Sequence, residues 1–148
     1  MNKGWLQRKT GLKSKSDDPW KKAVAKLDTA VSLMVRARDE GKPCVTCGAV
    51  GRQMDCGHFQ WREQMATRFH LKNLAGQCTK CNRFQGGRTY EFGLELDKRW
   101  GAGTADEMYK LAHTTKKWDI KHLEQLTSAA KKGVRVYSQL YRELDKNL

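Results

Sequence analysis

Two Cys-x-x-Cys pairs, Cys44-Val-Thr-Cys47 and Cys78-Thr-Lys-Cys81, constrain this chain more than any other feature of it. A structural zinc takes four ligands in a tetrahedron, and a Cys-x-x-Cys turn offers two thiolates from one tight knuckle, so two such turns complete a site. Gly48 follows the first knuckle directly and permits its turn. The expectation is a structural Zn2+ held by Cys44, Cys47, Cys78 and Cys81. The competing reading, redox-active dithiols, lacks the alternation of strands and helices that a thioredoxin-like setting needs. The fifth cysteine, Cys56, stands outside both knuckles and reads as a small, half-buried residue.

From Pro43 to Gly87 glycines, cysteines and short polar stretches replace helical periodicity, so apolar burial alone could hardly hold this segment and a metal would supply the missing stability. The flanks read differently. Asp18-Pro19 makes an N-cap and first helical position, and Trp20, Val24, Leu27, Val31, Met34 and Val35 then repeat at helical spacing until Gly41 and Pro43, with Lys21, Lys22, Lys26, Arg36 and Arg38 on the wet side. Tyr90 to Trp100 reads as a helix closed by Gly101, Thr104-Ala-Asp-Glu107 as a capping box opening a short helix, and Asp119 as the start of another that bends at Gly133 and continues to Leu144. The resulting division is a basic flexible arm (1–18), an amphipathic helix (19–42), a zinc-containing core (43–101) and a helical C-terminal segment (102–148).

The 148 residues suffice for one modest core with helical arms, and 29 Lys+Arg against 16 Asp+Glu leave a net charge of +13. Basic residues spread over the whole length imply a polyanionic partner, best met by nucleic acid, because cations that neutralise phosphates release condensed counterions. No apolar run approaches a membrane span and the first residues lack the apolar stretch of a signal peptide, so no membrane partner and a cytoplasmic location, that of the host if phage-encoded, are expected.

Between and beside the knuckles lie Asp55-Cys-Gly-His58-Phe59, then Arg68-Phe-His-Leu-Lys-Asn73, then Cys81-Asn82-Arg83. This order of residues resembles the bacteriophage lambda NinG (Rap) family of recombination nucleases, within the HNH or His-metal finger group. The likeness is strongest from Pro43 to Gly101 and weaker over the basic start and both helical flanks. Around the second knuckle the chain is also similar to endonuclease VII of bacteriophage T4, in which an asparagine follows the last zinc cysteine, as Asn82 does here.

The resemblance implies an α+β fold, a zinc-stapled ββα-metal core with flanking helices, and a metal-dependent DNA endonuclease acting in recombination on branched DNA such as Holliday junctions or displacement loops. It implies His58 as the general base, its pKa near working pH, and a catalytic Mg2+ (or Mn2+) on Asn82 and Asp55. It also gives Asn73 the task of tying down a loop through backbone hydrogen bonds. Many members carry an acid directly before the base histidine; here Gly57 fills that place, and Asp55 reads equally as a metal ligand or as the cap of a turn. Arg62, Arg68, Lys72, Lys80, Arg83 and Arg88 flank the site and suit backbone phosphates. His70, His113 and His122 lack partners at diagnostic spacing and read as surface or packing residues.

Two other classes fit parts of the sequence. One is a non-catalytic, zinc-stabilised nucleic-acid-binding module, for which charge and cysteines suffice. The other is an adaptor whose Trp20, Trp100, Trp118 and Tyr137 bind a host or phage recombination protein. A homodimer is expected only by analogy with two-fold symmetric junctions, which need two cuts.

Overall fold

The computed structural model describes residues 17–146. Five helices, α1 (Pro19–Arg38), α2 (Thr89–Trp100), α3 (Thr104–Ala112), α4 (Ile120–Lys132) and α5 (Val134–Asp145), surround one antiparallel pair of strands, β1 (Met54–His58) and β2 (Leu74–Cys78). A 3-10 turn (Leu71–Asn73) leads into β2 and a π-helical turn (Lys80–Phe84) leaves it. The register sets Asp55 opposite Gln77, Gly57 opposite Ala75 and His58 opposite Leu74.

The apolar stripe of α1 does what its periodicity predicts: Ala23, Val24, Leu27, Ala30, Val31, Met34 and Val35 are all buried. They meet Leu123, Leu126, Ala129 and Ala130 of α4 and Tyr137 and Tyr141 of α5, together with Cys56, Phe69 and Leu74 from the hairpin segment. Full burial of each large aliphatic side chain contributes about 1.5–3 kcal/mol. A second, smaller core joins Val45, Phe59 and Ala75 to Phe92 and Leu96 of α2 and Met108 of α3. The small strand pair therefore contributes to both cores, with α1 on one side and α2 and α3 on the other.

Asp18 caps α1, its carboxylate accepting from Trp20 N at 2.9 Å, and Asp119 caps α4 through His122 N at 2.7 Å. Other sequence expectations need correction. The expected arm at 1–18 falls, for residues 1–16, outside the described residues. The helix expected over 19–42 ends at Arg38, because the Asp39 carboxylate turns inward and binds Gly76 N of β2 at 2.8 Å. The capping box does not form. Thr104 lies inside the first turn of α3 with its hydroxyl donating to Gly101 O at 2.7 Å, and Asp97 of α2 accepts from Ala105 N at 2.8 Å instead.

Gly133 breaks the last helix outright rather than bending it, since its φ of 110° and ψ of 172° lie far from helical values. Cys56 is buried, not half-buried, and burial pushes its thiol pKa up to about 12. Of the four aromatics proposed as an adaptor surface, Trp118 and Tyr137 are core residues. Tyr137 OH donates to Phe69 O at 2.7 Å, and Trp20 Nε1 donates to Trp118 O at 2.8 Å. Trp100 alone of the four is exposed.

Candidate functional site

The first knuckle is a self-bonded turn: Cys44 N donates to Ala49 O at 2.8 Å, Gly48 N donates to Cys44 O at 2.9 Å, and Gly48 takes a φ of 71° that suits glycine. Cys78 ends β2 and Cys81 sits in the π-helical turn that follows. The sulfur atoms of Cys44, Cys47, Cys78 and Cys81 lie within 4.8 Å of one another, and Cys47 Sγ is 3.9 Å from Cys78 Sγ. Zinc–sulfur bonds of about 2.3 Å give a tetrahedron edges of about 3.8 Å, so the cluster has the size a zinc ion needs.

Its electrostatics also fit a cation. Burial pushes the Cys44 thiol up, but bonds from the Thr46 hydroxyl and from backbone N–H groups, Cys78 N among them, bring it down to about 6. Cys47, despite an N–H bond from Ala49, is raised to about 11 by burial and by the other three cysteines. Four thiols this close cannot all ionise alone; a divalent cation removes the conflict.

Asp55, His58 and Asn82 open onto a polar cleft of about 460 Å3 between the strand pair and α1. Asp55 Oδ2 accepts from Asn82 Nδ2 at 3.0 Å and from Arg83 Nε at 2.9 Å, while Arg83 Nη2 reaches Oδ1 at 3.2 Å. Burial raises the Asp55 pKa, but Asn82 and Arg83 outweigh it and hold the carboxyl below the ordinary range. His58 ends β1 and is half-buried. Burial and the charge of Arg62 push its pKa down to about 4, with Asp28 opposing. The expectation of a pKa near working pH is thus corrected: the imidazole is neutral at pH 7 and a weaker base than a solvated one.

Gly57, directly before His58, has no room for an acidic side chain. A Cβ there would lie 2.5 Å from Gln77 Oε1 and 2.8 Å from Gln77 Cβ. Asn73 is fully buried and makes three bonds to backbone: Oδ1 accepts from Gln60 N at 2.7 Å, and Nδ2 donates to Gln60 O and Thr67 O, each at 3.1 Å. These bonds tie the loop that follows His58 to the start of β2.

The six basic residues separate. Arg62 and Arg83 line the cleft, Arg83 through its pair with Asp55. Lys80 is exposed, in the same turn as Asn82. Arg68 is committed to Asp28 of α1, its Nε and Nη2 donating at 3.1 and 2.6 Å, and to Arg62 O at 2.9 Å. Lys72 pairs with Glu107 at 3.0 Å and Arg88 with Glu91 at 2.6 Å. Sequence reasoning missed Arg36, which α1 brings to the cleft with Ser32 one turn before it. Their i,i+4 spacing was legible; which edge of the helix meets the hairpin was not.

His70 caps the 3-10 turn, Nδ1 accepting from Lys72 N at 3.2 Å, and its ring stands edge-on to Tyr141. The His113 ring packs tilted against Tyr109, and His122 lies beside Asp119. A larger groove of about 860 Å3 between α1 and the α4–α5 junction is lined by Leu33, Met34, Ala130 and Val134 with lysines around them. It contains no histidine, cysteine or carboxylate and so offers no acid–base or metal chemistry.

Fold and site together define an α+β protein organised around a four-cysteine cluster that could hold zinc. Comparison with known families gives the rest: the profile of the family described as Bacteriophage Lambda NinG protein matches residues 2–142, and the chain belongs to that family. It is 31% identical over 121 residues to Protein ninG of Escherichia phage lambda, covering 80% of this chain and 56% of that one. Against Protein ninG of Salmonella phage P22 it is 31% identical over 121 residues, covering 80% and 57%. Against that of Escherichia phage 933W it is 31% identical over 116 residues, covering 77% and 55%. The chain spans a little over half the length of these relatives. No solved structure matches it. Among the described residues no helix is long and apolar enough to cross a membrane.

Proposed function

We propose that this chain is a metal-dependent DNA endonuclease of recombination, acting on branched DNA in the cytosol of the infected cell, with the strand pair and the turn after it forming a ββα-metal core. One observation carries the reading: His58 from the end of β1 and Asn82 from the turn after the second knuckle converge, with Asp55, on one polar cleft edged by Arg36, Arg62 and Arg83. His58 is neutral at pH 7 and so has a lone pair with which to accept a proton from an attacking water. Arg36 and Arg62 supply charge for the phosphates of a bound strand.

A carboxylate and an amide oxygen suit a hard cation, which keeps its remaining positions for water and a phosphate. Asn82 spends its amide N–H on Asp55, which leaves the amide oxygen as its ligand atom. A bound Mg2+ (or Mn2+) would stabilise charge on the phosphoryl group and the leaving oxygen. The cysteine cluster is scaffold, because four thiolates leave a zinc no open position. Arg83 now holds both oxygens of Asp55, so Asp55 becomes a ligand only by sharing or exchanging that guanidinium.

This last contact favours a second reading, a zinc-stabilised module that binds nucleic acid without cutting it, in which Asp55 is simply the partner of Arg83. The deciding experiment adds magnesium to zinc-loaded protein with a synthetic four-way junction, a displacement loop or a linear duplex, and compares wild type with His58→Ala. Cleavage by wild type and not by the variant, with equal binding, is the expected result. Intact DNA under both proteins, with binding retained, would leave the binding module. Paired cuts across a junction need two sites, so a homodimer belongs to the nuclease proposal and light scattering of the protein–junction complex tests it. A host or phage recombination protein remains the partner proposed beyond DNA.

A further inference from the structure

The most exposed large apolar side chains among the described residues are Phe84 at 80%, Tyr90 at 78% and Trp61 at 71%. Two of these three are chain neighbours of residues that line the cleft. Trp61 directly precedes Arg62 and Phe84 directly follows Arg83, the two arginines that line the cleft from the hairpin side. Each ring stands in solvent on an anchored backbone. Trp61 follows Gln60, whose N–H and C=O are both held by Asn73, and Trp61 O accepts from Gln64 N at 3.0 Å. Phe84 closes the π-helical turn that contains Cys81 and Asn82.

We infer that Trp61 and Phe84 form a stacking platform for unstacked nucleobases at the edge of the cleft, and that they are what discriminates branched or single-stranded DNA from intact duplex. This rests on the nucleic-acid reading of the cleft above, not on its catalytic step. An aromatic ring offers a base its π-face whatever the base, and only an unstacked base has a free face to offer in return. In duplex DNA both faces are occupied by neighbouring pairs, so the rings gain nothing there. At a branch point stacking is interrupted, and in a four-way junction opened by the absence of magnesium the pair that ends each arm exposes a face. The adjacent arginines select for this occupant: Arg36 and Arg62 attract a phosphate chain, which brings its bases to the flanking rings. An acidic backbone carrying flat apolar groups is the ligand that matches arginines with exposed rings next to them in the chain.

The test measures affinity, without magnesium, of the whole zinc-loaded chain for three probes: a single-stranded oligonucleotide, a four-way junction and a linear duplex. Trp61→Ala and Phe84→Ala should each weaken binding to single strand and junction by about ten-fold, within the range reported for one base stacked on an aromatic residue. Duplex affinity should stay at the wild-type value, and the salt dependence should not change, because no charge is removed. Trp61→Phe and Phe84→Trp should restore most of the loss, and Tyr109→Ala, on exposed surface of α3, should cause none. Equal losses on duplex and junction, or wild-type affinity of both alanine variants for every probe, would overturn the inference. Because no cleavage is needed, a protein that never cuts DNA can still pass, and a working nuclease can still fail.

Discussion

Asn73 grips Gln60 from both sides, accepting its N–H at 2.7 Å and donating to its carbonyl at 3.1 Å, so one buried amide stands in for a missing rung beyond the end of the strand pair. Its second donor bond goes to Thr67 O, which fastens the far end of the same loop. Replacement by alanine would strand these backbone groups in a site that excludes water. Asn73→Ala should therefore destabilise the protein by about 2–4 kcal/mol, and Asn73→Asp, which sets a buried carboxylate against the carbonyls of Gln60 and Thr67, by at least as much. Urea titration of zinc-loaded protein measures both; a loss below 1 kcal/mol for the alanine variant would show that the loop has another anchor.

Gly57 tests whether an acid could ever have stood before the histidine. The added Cβ would be driven into Gln77, whose Nε2 is held by Gly87 O at 2.7 Å and Thr46 Oγ1 at 3.1 Å and cannot simply swing aside. Gly57→Ala should cost about 1–3 kcal/mol, as overpacking of a filled interior does, and Gly57→Asp more. Thermal unfolding with zinc in excess gives the comparison, and a variant as stable as wild type would mean that Gln77 relocates freely.

Removal of zinc should uncouple the hairpin from its surroundings. The expected stoichiometry is one zinc per chain, lost on treatment with a strong chelator or in Cys78→Ser. Amide exchange should then become fast across residues 44–82 and accelerate least in α1 and α4, which pack directly on each other in the larger core. Uniform protection after verified metal removal would contradict a stabilising role for the cluster.

Acid should weaken the fold through His70. Burial is the main cause that lowers its pKa, from 6.5 to about 4, and its Nδ1 must stay unprotonated to accept from Lys72 N. A folded-state pKa below the unfolded one means that the unfolded chain takes up the proton first. The stabilisation is therefore complete above about pH 6.5 and is lost as pH falls towards 4. His58, lowered to about 4 by burial and neighbouring arginines, acts in the same direction. His70→Asn keeps a capping acceptor without titrating, so its stability should fall less between pH 7 and pH 5 than that of wild type. Parallel pH profiles would assign the acid sensitivity elsewhere.

What was legible in the sequence was local. The knuckles, the caps at Asp18 and Asp119 and the stripe of α1 each depend on residues a few positions apart, where spacing alone dictates geometry. The misreadings came from partners outside the element being read. Asp39 left its helix for Gly76, thirty-seven positions on, and Asp97 took over the cap that Thr104 was expected to provide. His58 kept its identity as a candidate, but its proton affinity depends on burial and on Arg62 and Arg68, and no local pattern encodes that. The place of Arg36 at the cleft follows from how α1 crosses the hairpin, which periodicity leaves undetermined.

The Trp20–Trp118 bond ties together residues 98 positions apart, whereas the Cys47–Cys78 contact spans 31. Closing the longer span costs about 1 kcal/mol more in chain entropy, and contacts of such separation slow folding. Cinching the inner stretch first shortens the free chain that α1 and α4 must bridge to find each other. With zinc in the cluster, metal supply would set the pace at which the outer helices meet, and a chain made without it should fold slowly as well as loosely.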